Sequence, residues 1–582
     1  MFQRIRTSNA GISRSGVASV HAAALMIGAA GLASRLLGIL RDRMLAAHFG
    51  AGRELDIYYA AFQIPDFLFT LFLLGAASAA IIPVLLEFGQ DHESQARAFI
   101  TELAGIFFVG SLAVVSVAFF LAPVAIRYAA PGFTGSDRAL VISLTRIMLA
   151  SPLFLGLSNI LSSVLQARRR FFAYALAAVC YNLGIILGIL FFLPRWGLPG
   201  LAAGVVLGAA LHFAVQVPMF LSLGFGLYAA PSLGKKIFSF SSLLRPVRRV
   251  MALSLPRVIA ISASNIADIG LVAIASTLAS GSIVVFKFAD NLRFVPIGLF
   301  GVSFATAAFP ALSLAAVRNE AEKFSRIFFG TLRSVLFWIM PASVLVFVLR
   351  AQIVRVTLGA GRFDWGDTRL TAALLGMLTV VIIADSLSLL FVRSFYALGN
   401  TKKPFLVNSC TAMMTIVLGW AIAVAFRDPA HPVLEVLVRI LHLEGVAGAA
   451  VVGVALAAVI GSVGDSVLLF LSLTREMRLR FGTGSELSFD DRRAILAICA
   501  AAFLSGVVAY GALRVATLVV TLDRLSSVFL QGAFSSFAGI IFYAGVLWLL
   551  GNREIGDIMS AVRRRIFGVR ILPAGWDGER TP

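Results

Sequence analysis

The chain contains 582 residues, of which 59% are hydrophobic and 13% are charged, and its formal net charge at pH 7 is +20. This composition excludes an ordinary soluble globular protein, because apolar runs able to cross a bilayer core as about 20 helical residues recur from end to end. The Lys and Arg residues lie in short connectors between these runs, which is typical of membrane topology and argues against nucleic acid as a partner. The three cysteines lie within apolar runs, so neither a disulfide framework nor a cysteine metal site is expected.

The chain begins with a basic and polar segment, residues 1–17. It is predicted to be an uncleaved cytoplasmic lead-in, because the apolar run behind it is too long for a signal peptide. About fourteen apolar runs follow, each near or above the length that spans a bilayer. They cover residues 18–48, 55–88, 95–127, 137–166, 171–193, 198–227, 249–279, 282–316, 324–350, 368–398, 403–426, 444–474, 491–518 and 526–550. Most of the Lys and Arg residues lie in the two terminal segments and in the connectors that follow even-numbered spans. This distribution predicts that both termini are cytoplasmic.

The first predicted span carries four charged residues within "ASRLLGILRDRML" (33–45), namely Arg35, Arg41, Asp42 and Arg43. Placing one such charge in hydrocarbon costs a few kcal/mol, so charges of this kind usually face a cavity or a partner. Arg35 and Asp42 lie about two helical turns apart on nearly the same face, with Arg41 and Arg43 on either side. Arg41 is therefore expected to contact an anionic substrate, while Asp42 orients Arg35 or Arg43. The alternative is internal pairing that only fixes helix packing.

Later spans also contain charged residues, which add to the predicted cavity. They are Asp66, Arg257, Asp268, Lys287, Arg293, Asp385, Arg393 and Asp465. A cavity with a net positive charge indicates an anionic substrate, because the planar guanidinium fork matches phosphate oxygens. Asp268 together with Asn408 is one arrangement that would provide a Na⁺ or H⁺ coupling site, and no other cofactor is expected.

The sequence repeats itself over its first twelve spans. The stretch around Gly75 resembles that around Gly301, and "GLPGLAAGVVLGAAL" (197–211) resembles "GVAGAAVVGVALAAV" (445–459). Two six-helix copies in one chain are typical of a transporter whose site lies between them. A chance likeness of Gly/Ala-rich helices is the alternative. The predicted organisation is a cytoplasmic segment (1–17), an N-lobe (18–228), an amphipathic cytoplasmic linker (229–248), a C-lobe (249–475), a helix pair (490–551) and a cytoplasmic tail (552–582).

No enzyme motif accompanies these helices. The sequence contains no Walker A loop, no H-E-x-x-H, no G-x-S-x-G and no Cys/His metal spacing. No loop is both long and rich in acids, Arg or His. A transporter of an anionic or phospholipid-like headgroup is therefore favoured over an enzyme, and a non-transporting membrane scaffold stays open as a third class.

Several stretches resemble the MurJ/MviN family of the MOP flippase superfamily. They are "SRLLGILRD" (34–42), "FGAGRELDIYYAAFQIPD" (49–66), "APGF" (130–133), "LASGS" (278–282), "FADNLRFVPIGLFGV" (288–302) and "FYALGNTKKP" (395–404). They occur in family order over spans 1–11. The resemblance implies an all-α polytopic membrane protein of about fourteen helices. Two pseudo-symmetric six-helix lobes would form a V, as in MATE transporters, and two added helices would form a groove for a polyprenyl tail.

The resemblance also implies an activity. It is the flipping of lipid II, the polyprenyl-diphosphate-linked peptidoglycan precursor, from the inner to the outer leaflet of the bacterial cytoplasmic membrane by alternating access. Membrane lipids are implied partners, and the cell-wall synthesis machinery is a further partner that the resemblance suggests. In the family the first span supplies Ser-Arg and Arg-Asp pairs to a cationic cavity, and Ser34, Arg35, Arg41 and Asp42 match them.

The sequence departs from the family pattern in spans 2 and 8. The family's span 2 Arg and acid are replaced by Phe69 and Leu74, and the Arg of its span 8 A-D-R motif is replaced by Asn291. Lys287, one turn before Asn291, and Arg293, two residues after it, are candidates to supply the missing charge.

Lys287 is the better placed of the two, since it shares a helix face with Asn291, and Arg43 is the candidate replacement in span 2. The predicted substrate-binding set is therefore Ser34, Arg35, Arg41, Asp42, Arg43, Lys287 and Arg293. Because two family cations are missing, export of another lipid-linked oligosaccharide or of a small amphiphile is the alternative function.

Overall fold

The computed structural model describes residues 28–75, 81, 85, 93–225, 265–482, 488–519, 524–556 and 559–560. Within these residues every regular element is a helix and there is no strand. The predicted N-terminal segment 1–17 and the amphipathic linker 229–248 lie outside the described residues, as do Arg257 and most of the tail 552–582.

The described helices that overlap the predicted spans are numbered α1 to α14. They are α1 (28–49), α2 (Arg53–Gly75), α3 (Glu93–Ala129), α4 (Gly135–Ala167), α5 (Phe171–Trp196), α6 (Leu198–Ser222), α7 (Asn265–Ser276), α8 (Ser282–Val317), α9 (Ala321–Val348), α10 (Trp365–Ala397), α11 (Lys402–Ala425), α12 (Val452–Phe481), α13 (Phe489–Val519) and α14 (Leu525–Leu549). Two short helices, Arg350–Leu358 and Pro432–Ile440, lie in the connectors that follow α9 and α11.

Eleven of the described helices are long and apolar enough to cross a membrane, namely α3 to α6 and α8 to α14. The other three, α1, α2 and α7, adjoin residues outside the described part of the chain. The chain is therefore a multi-pass helical membrane protein, as predicted, and the count of about fourteen spans stays a prediction.

Helices α5 and α6 approach each other through facing glycines. A Cβ on Gly188 would lie 2.4 Å from the Cα of Gly204, and a Cβ on Gly184 would lie 2.3 Å from the Cα of Gly208. In a bilayer, small residues at a helix contact let the two backbones pack closely, which replaces the hydrophobic effect as the source of association. The glycine-rich repeat seen in the sequence is thus a packing surface of α6.

The chain forms two compact units. The first consists of Met1–Ala289, Thr357–Leu374 and Pro404–Gly461, and the second of Asp290–Val356, Leu375–Lys403 and Ser462–Pro582. The lobes predicted at 18–228 and 249–475 and the helix pair at 490–551 stay predictions.

Within the second unit, α13 and α14 pack along each other and against α9. Arg333 of α9 donates to the carboxylate of Asp491 at the start of α13 (2.6 Å) and to that of Glu554 beyond α14. The hydroxyl of Tyr543 on α14 donates to the carbonyl of Phe337 on α9 (2.7 Å). These polar contacts fix the C-terminal helix pair on α9.

Candidate functional site: a charged cluster in the first unit

The charged residues of α1 join a hydrogen-bond network with α5. Arg41 donates through Nε to Asp42 Oδ1 (2.9 Å) and through Nη1 to Asn182 Oδ1 (3.2 Å). The Asn182 amide donates to the hydroxyl of Ser34 (3.1 Å), which donates to the carbonyl of Ala178 (3.1 Å). This network holds the Arg41 guanidinium in place. The sequence analysis missed Asn182, because a single Asn in an Ala/Gly-rich span forms no pattern.

The carboxylate of Asp42 pairs with Arg41, with Nη2 and Oδ1 2.8 Å apart. The expectation that Asp42 orients Arg35 or Arg43 stays a prediction. Asp42 is buried, and a buried carboxylate is costly unless a cation or donors lie against it. Arg43 donates to the carbonyl of Gly359 (3.2 Å), so it binds the connector after the short helix Arg350–Leu358. Arg35 is exposed on α1.

Lys287 and Asp268 form an ion pair between α8 and α7. Lys287 Nζ donates to Asp268 Oδ2 at 2.6 Å. The lysine side chain is 14% exposed and the aspartate side chain is 40% exposed, so the pair is open from the side of the carboxylate. Water can hydrate the half-exposed carboxylate, which lowers the cost of exchanging it for another acceptor.

Asp66 of α2 connects this ion pair with Arg41. Its carboxylate interacts electrostatically with Lys287, Asp268 and Arg41. Lys287 therefore belongs to the same charged cluster as Arg41, although their helices are far apart in the chain. The "charged cluster" is defined as Arg41, Asp42, Asp66, Asp268 and Lys287.

Three tyrosines border the charged cluster on the sides of α2 and α5. Tyr58 and Tyr59 interact electrostatically with Arg41, and Tyr181 interacts with Arg41 and Asp66. The hydroxyl of Tyr59 is buried and has no hydrogen-bond partner in the described part of the chain. Sequence analysis missed these residues, since tyrosine in an apolar helix usually marks packing or an interface.

Arg293 belongs to a different arrangement, in the second unit. Its Nε donates to Asp290 Oδ1 (2.7 Å) and its Nη1 donates to Asp385 Oδ2 (2.7 Å). Both ends of its guanidinium fork are thus occupied by carboxylates, and the contact joins α8 to α10. The substrate-binding role predicted for Arg293 stays a prediction, and this geometry favours a packing role.

The cation site predicted at Asp268 and Asn408 also stays a prediction. In this structure the ammonium of Lys287 lies against Asp268, so any mobile cation would compete with it. Among the described residues no group of three or more His, Cys, Asp or Glu side chains is arranged to hold a metal ion.

The connectors that follow α1, α3 and α7, together with residues 359–364, meet at one end of the first unit. The N–H of Arg362 donates to the carbonyl of Ala47 (2.9 Å), and the N–H of Gly132 donates to the hydroxyl of Ser276 (3.0 Å). A Cβ on Gly132 would lie 1.7 Å from the Ser276 carbonyl oxygen, so only glycine permits this approach. The connectors after α1, α3 and α7, each of which follows an odd-numbered span, therefore lie on one side of the first unit.

At this end of the unit, Asp56 holds the start of α2 against the start of α8. It is buried at the start of α2, where its carboxylate accepts the N–H groups of Gly281 (2.6 Å) and Val284 (2.9 Å) at the start of α8. A carboxylate at a helix N-terminus is stabilised by unsatisfied N–H groups and by the helix dipole. Gly281 has φ = 88° and lies so close to Ala51 that a Cβ would sit 2.0 Å from its carbonyl oxygen. Asp56 lies in the stretch 49–66 that resembles the family, but no sequence pattern predicted this contact.

A family model described as "Lipid II flippase MurJ" matches residues 45–529, which is most of the chain. The chain belongs to this family. A probable lipid II flippase MurJ of Rhizobium tropici is 26% identical over 563 residues, covering 93% of this chain and 96% of that protein. The lipid II flippase MurJ of Burkholderia cenocepacia is 29% identical over 379 residues, covering 64% of this chain and 72% of that protein.

Solved structures share the fold. A lipid II flippase MurJ in an inward closed conformation matches with a TM-score of 0.67 and 24% identity, covering 90% of this chain and 99% of that one. An inward-facing multidrug resistance MATE family transporter of the MOP superfamily matches with a TM-score of 0.60 and 15% identity, covering 77% and 96%. The predicted fold class, an all-helical membrane protein with a MATE-like fold, is thereby confirmed.

The structure shows where the residues that depart from the MurJ family pattern in spans 2 and 8 lie. The side chain of Leu74 lies outside the described residues, while Phe69 of α2 is partly buried. Asn291 lies one turn beyond Lys287 on α8, and Lys287 is the residue that reaches the charged cluster. A lysine offers a point charge where an arginine offers a planar fork, so the two bind phosphate with different geometry.

Proposed function

We propose that this chain moves lipid II from the inner to the outer leaflet of the bacterial cytoplasmic membrane by alternating access, with both termini in the cytoplasm. One observation carries the assignment of the site. Arg41, oriented by Asn182 and Asp42, and Lys287 both lie within electrostatic range of the Asp66 carboxylate, so two cations from different helices lie near one location. Family membership supports the choice of substrate.

In the proposed mechanism the diphosphate of lipid II replaces carboxylates as the partner of these cations. Without substrate, Lys287 is compensated by Asp268, and Arg41 by Asp42. Phosphate oxygens accept strong charge-assisted hydrogen bonds from both cation types, so the exchange conserves ion pairing. Once Lys287 has moved, Asp268 and Asp66 are left without it, and a proton or Na⁺ is the proposed replacement.

Transport also requires the closed end of the first unit to open. The contacts that then break are the two hydrogen bonds accepted by Asp56 and the close approach of Gly281 to Ala51. Each such contact stabilises the closed state alone, and a substrate shifts the balance only by binding the two states unequally. The charged cluster and this closed end are therefore proposed to act as ligand site and gate.

Complementation tests the proposed function directly. Cells depleted of their own lipid II flippase should grow when they express this chain, and lipid II should stop accumulating. Arg41→Ala should fail, whereas Arg439→Ala, in an exposed pair with Glu435, should complement at equal abundance. Failure of the unaltered chain at normal abundance in the membrane would instead favour another lipid-linked oligosaccharide as substrate.

A further inference from the structure

A second group of cations lies in the second unit, at the ends of α9 and α13 that the charge pattern predicts to be outside. Arg514, in the last turns of α13, donates through Nε to the hydroxyl of Tyr510 (2.9 Å), and its guanidinium carbon lies 5.0 Å from the centre of that ring. Helix α13 packs on the same end of α9, because a Cβ on Gly506, one turn before Tyr510, would lie 2.4 Å from Val344 Cγ1 and 3.8 Å from Val348 Cγ2. Arg350 lies two residues after the end of α9, so this packing places its guanidinium and that of Arg514 on the two sides of Tyr510.

Neither guanidinium is paired with a carboxylate in the described part of the chain. Arg350 donates to the carbonyl of Phe347 (2.7 Å) and lies 4.8 Å from that ring. Its stem is held against α10, where a Cβ on Gly376 would lie 2.8 Å from Arg350 Cδ. In the same unit Arg333, by contrast, has two carboxylate partners.

Uncompensated cations that share a neutral neighbour repel each other, and an anion relieves the repulsion. Guanidinium forks bind phosphate oxygens bidentately, and a phenol hydroxyl adds a donor. Arg514 and Tyr510 are exposed and Arg350 is half-buried, so a ligand can reach all three. Their place at the helix ends is the depth at which lipid headgroups lie.

We propose that Arg350, Tyr510 and Arg514 form a binding site for the phosphate group of a membrane lipid at the outer leaflet. The phosphate has two sources: an anionic phospholipid of that leaflet, or the polyprenyl diphosphate of a lipid-linked substrate. The site stands on its own residues, so its failure would leave the proposed function untouched.

Native mass spectrometry of the full-length chain in neutral detergent tests the site. The protein is titrated with phosphatidylglycerol, with undecaprenyl diphosphate and, as a neutral-headgroup reference, with phosphatidylcholine. The double variant Arg350→Gln/Arg514→Gln should bind one or both anionic lipids about tenfold more weakly, because it loses two charge-assisted contacts. Arg524→Gln, the same charge change at the start of α14, is the matched control and should bind as the unaltered chain does.

The pattern of losses identifies the source of the phosphate. A loss confined to phosphatidylglycerol assigns the site to bulk phospholipid, and a loss confined to undecaprenyl diphosphate assigns it to the substrate. Equal binding by the double variant and the unaltered chain overturns the proposal, as does an equal loss in Arg524→Gln. Arg514→Gln alone changes an exposed side chain and should show a smaller loss in the same direction, which guards against misfolding of the double variant.

Discussion

Lys287 and Arg293 lie on the same helix, α8, yet their surroundings differ in a way that favours a ligand role for the first and a packing role for the second. Their side chains are similarly enclosed, 14% and 18% exposed. Lys287 is paired with Asp268, whose side chain is 40% exposed, whereas Arg293 joins Asp290 and Asp385 at 2.7 Å each. An exposed carboxylate can be hydrated when its cation moves to a phosphate, while the loss of Arg293 would leave two acids uncompensated. Charge in a membrane helix is therefore informative only together with its partners.

The largest effect is expected at Arg41, the other cation of the charged cluster. Arg41→Ala removes a guanidinium that donates to Asp42 and Asn182, and the substrate would lose charge-assisted bonds of about 1.5–3 kcal/mol. Lipid II flipping per molecule should fall roughly tenfold to a hundredfold. Arg41→Lys keeps the charge and loses the fork, so it should retain part of the activity.

Lipid II accumulation in depleted cells, normalised to protein abundance, measures this effect. Thermal stability of the purified variants is the control, because Asp42 loses its cation in Arg41→Ala. Full activity of Arg41→Ala at normal abundance would show that the charges of α1 only hold helices together.

The second prediction sets Lys287→Ala against Arg293→Ala. Lys287→Ala should lower flipping about tenfold at nearly unchanged stability, since its acid is half-exposed and can be hydrated. Arg293→Ala should lower stability by about 2 kcal/mol, below the 3–5 kcal/mol of a fully buried pair, because two acids lose their cation. Turnover and melting temperature are measured for both variants. A large loss of stability in Lys287→Ala together with a loss of flipping alone in Arg293→Ala would contradict the comparison.

The same residues show which part of the difference between Lys287 and Arg293 can be predicted from the sequence alone. Apolar runs and their spacing predicted the helices, because membrane spans leave a strong local signal. The MOP-type fold was implied by the family resemblance of stretches such as 34–42 and 395–404. Charges within the apolar runs drew attention to Arg41 and Lys287. The partners Asn182 and Tyr59 were missed, since which polar group faces which helix depends on tertiary packing.

A smaller effect is expected when the counter-charge of Lys287 is removed. Asp268→Asn takes away the acid that holds the ammonium, so the diphosphate no longer competes with it and should bind about threefold to tenfold more tightly. Turnover should fall, because release becomes slower, and any dependence of transport on Na⁺ or pH that arises at Asp268 should disappear. Asp465→Asn, which alters a carboxylate that accepts from Ser388 in the second unit, is the control. Weaker binding in Asp268→Asn would show that Asp268 orients Lys287 for the substrate.

The smallest effect is expected at Tyr59, and its sign on stability distinguishes a ligand from a packing residue. Its hydroxyl is buried beside Arg41 with no partner among the described residues, and an unsatisfied buried hydroxyl costs about 1–3 kcal/mol. Tyr59→Phe removes that group while the ring keeps its edge contact with Phe288, so the melting temperature should rise or stay unchanged. If the hydroxyl donates to the diphosphate, substrate binding should weaken about twofold to fivefold, which corresponds to one neutral hydrogen bond.

Tyr58→Phe is the matched control, since Tyr58 is the neighbouring buried tyrosine on α2. A lower melting temperature with unchanged binding in Tyr59→Phe would mean that the hydroxyl stabilises the helices, and that the ligand contacts of the charged cluster end at Arg41 and Lys287.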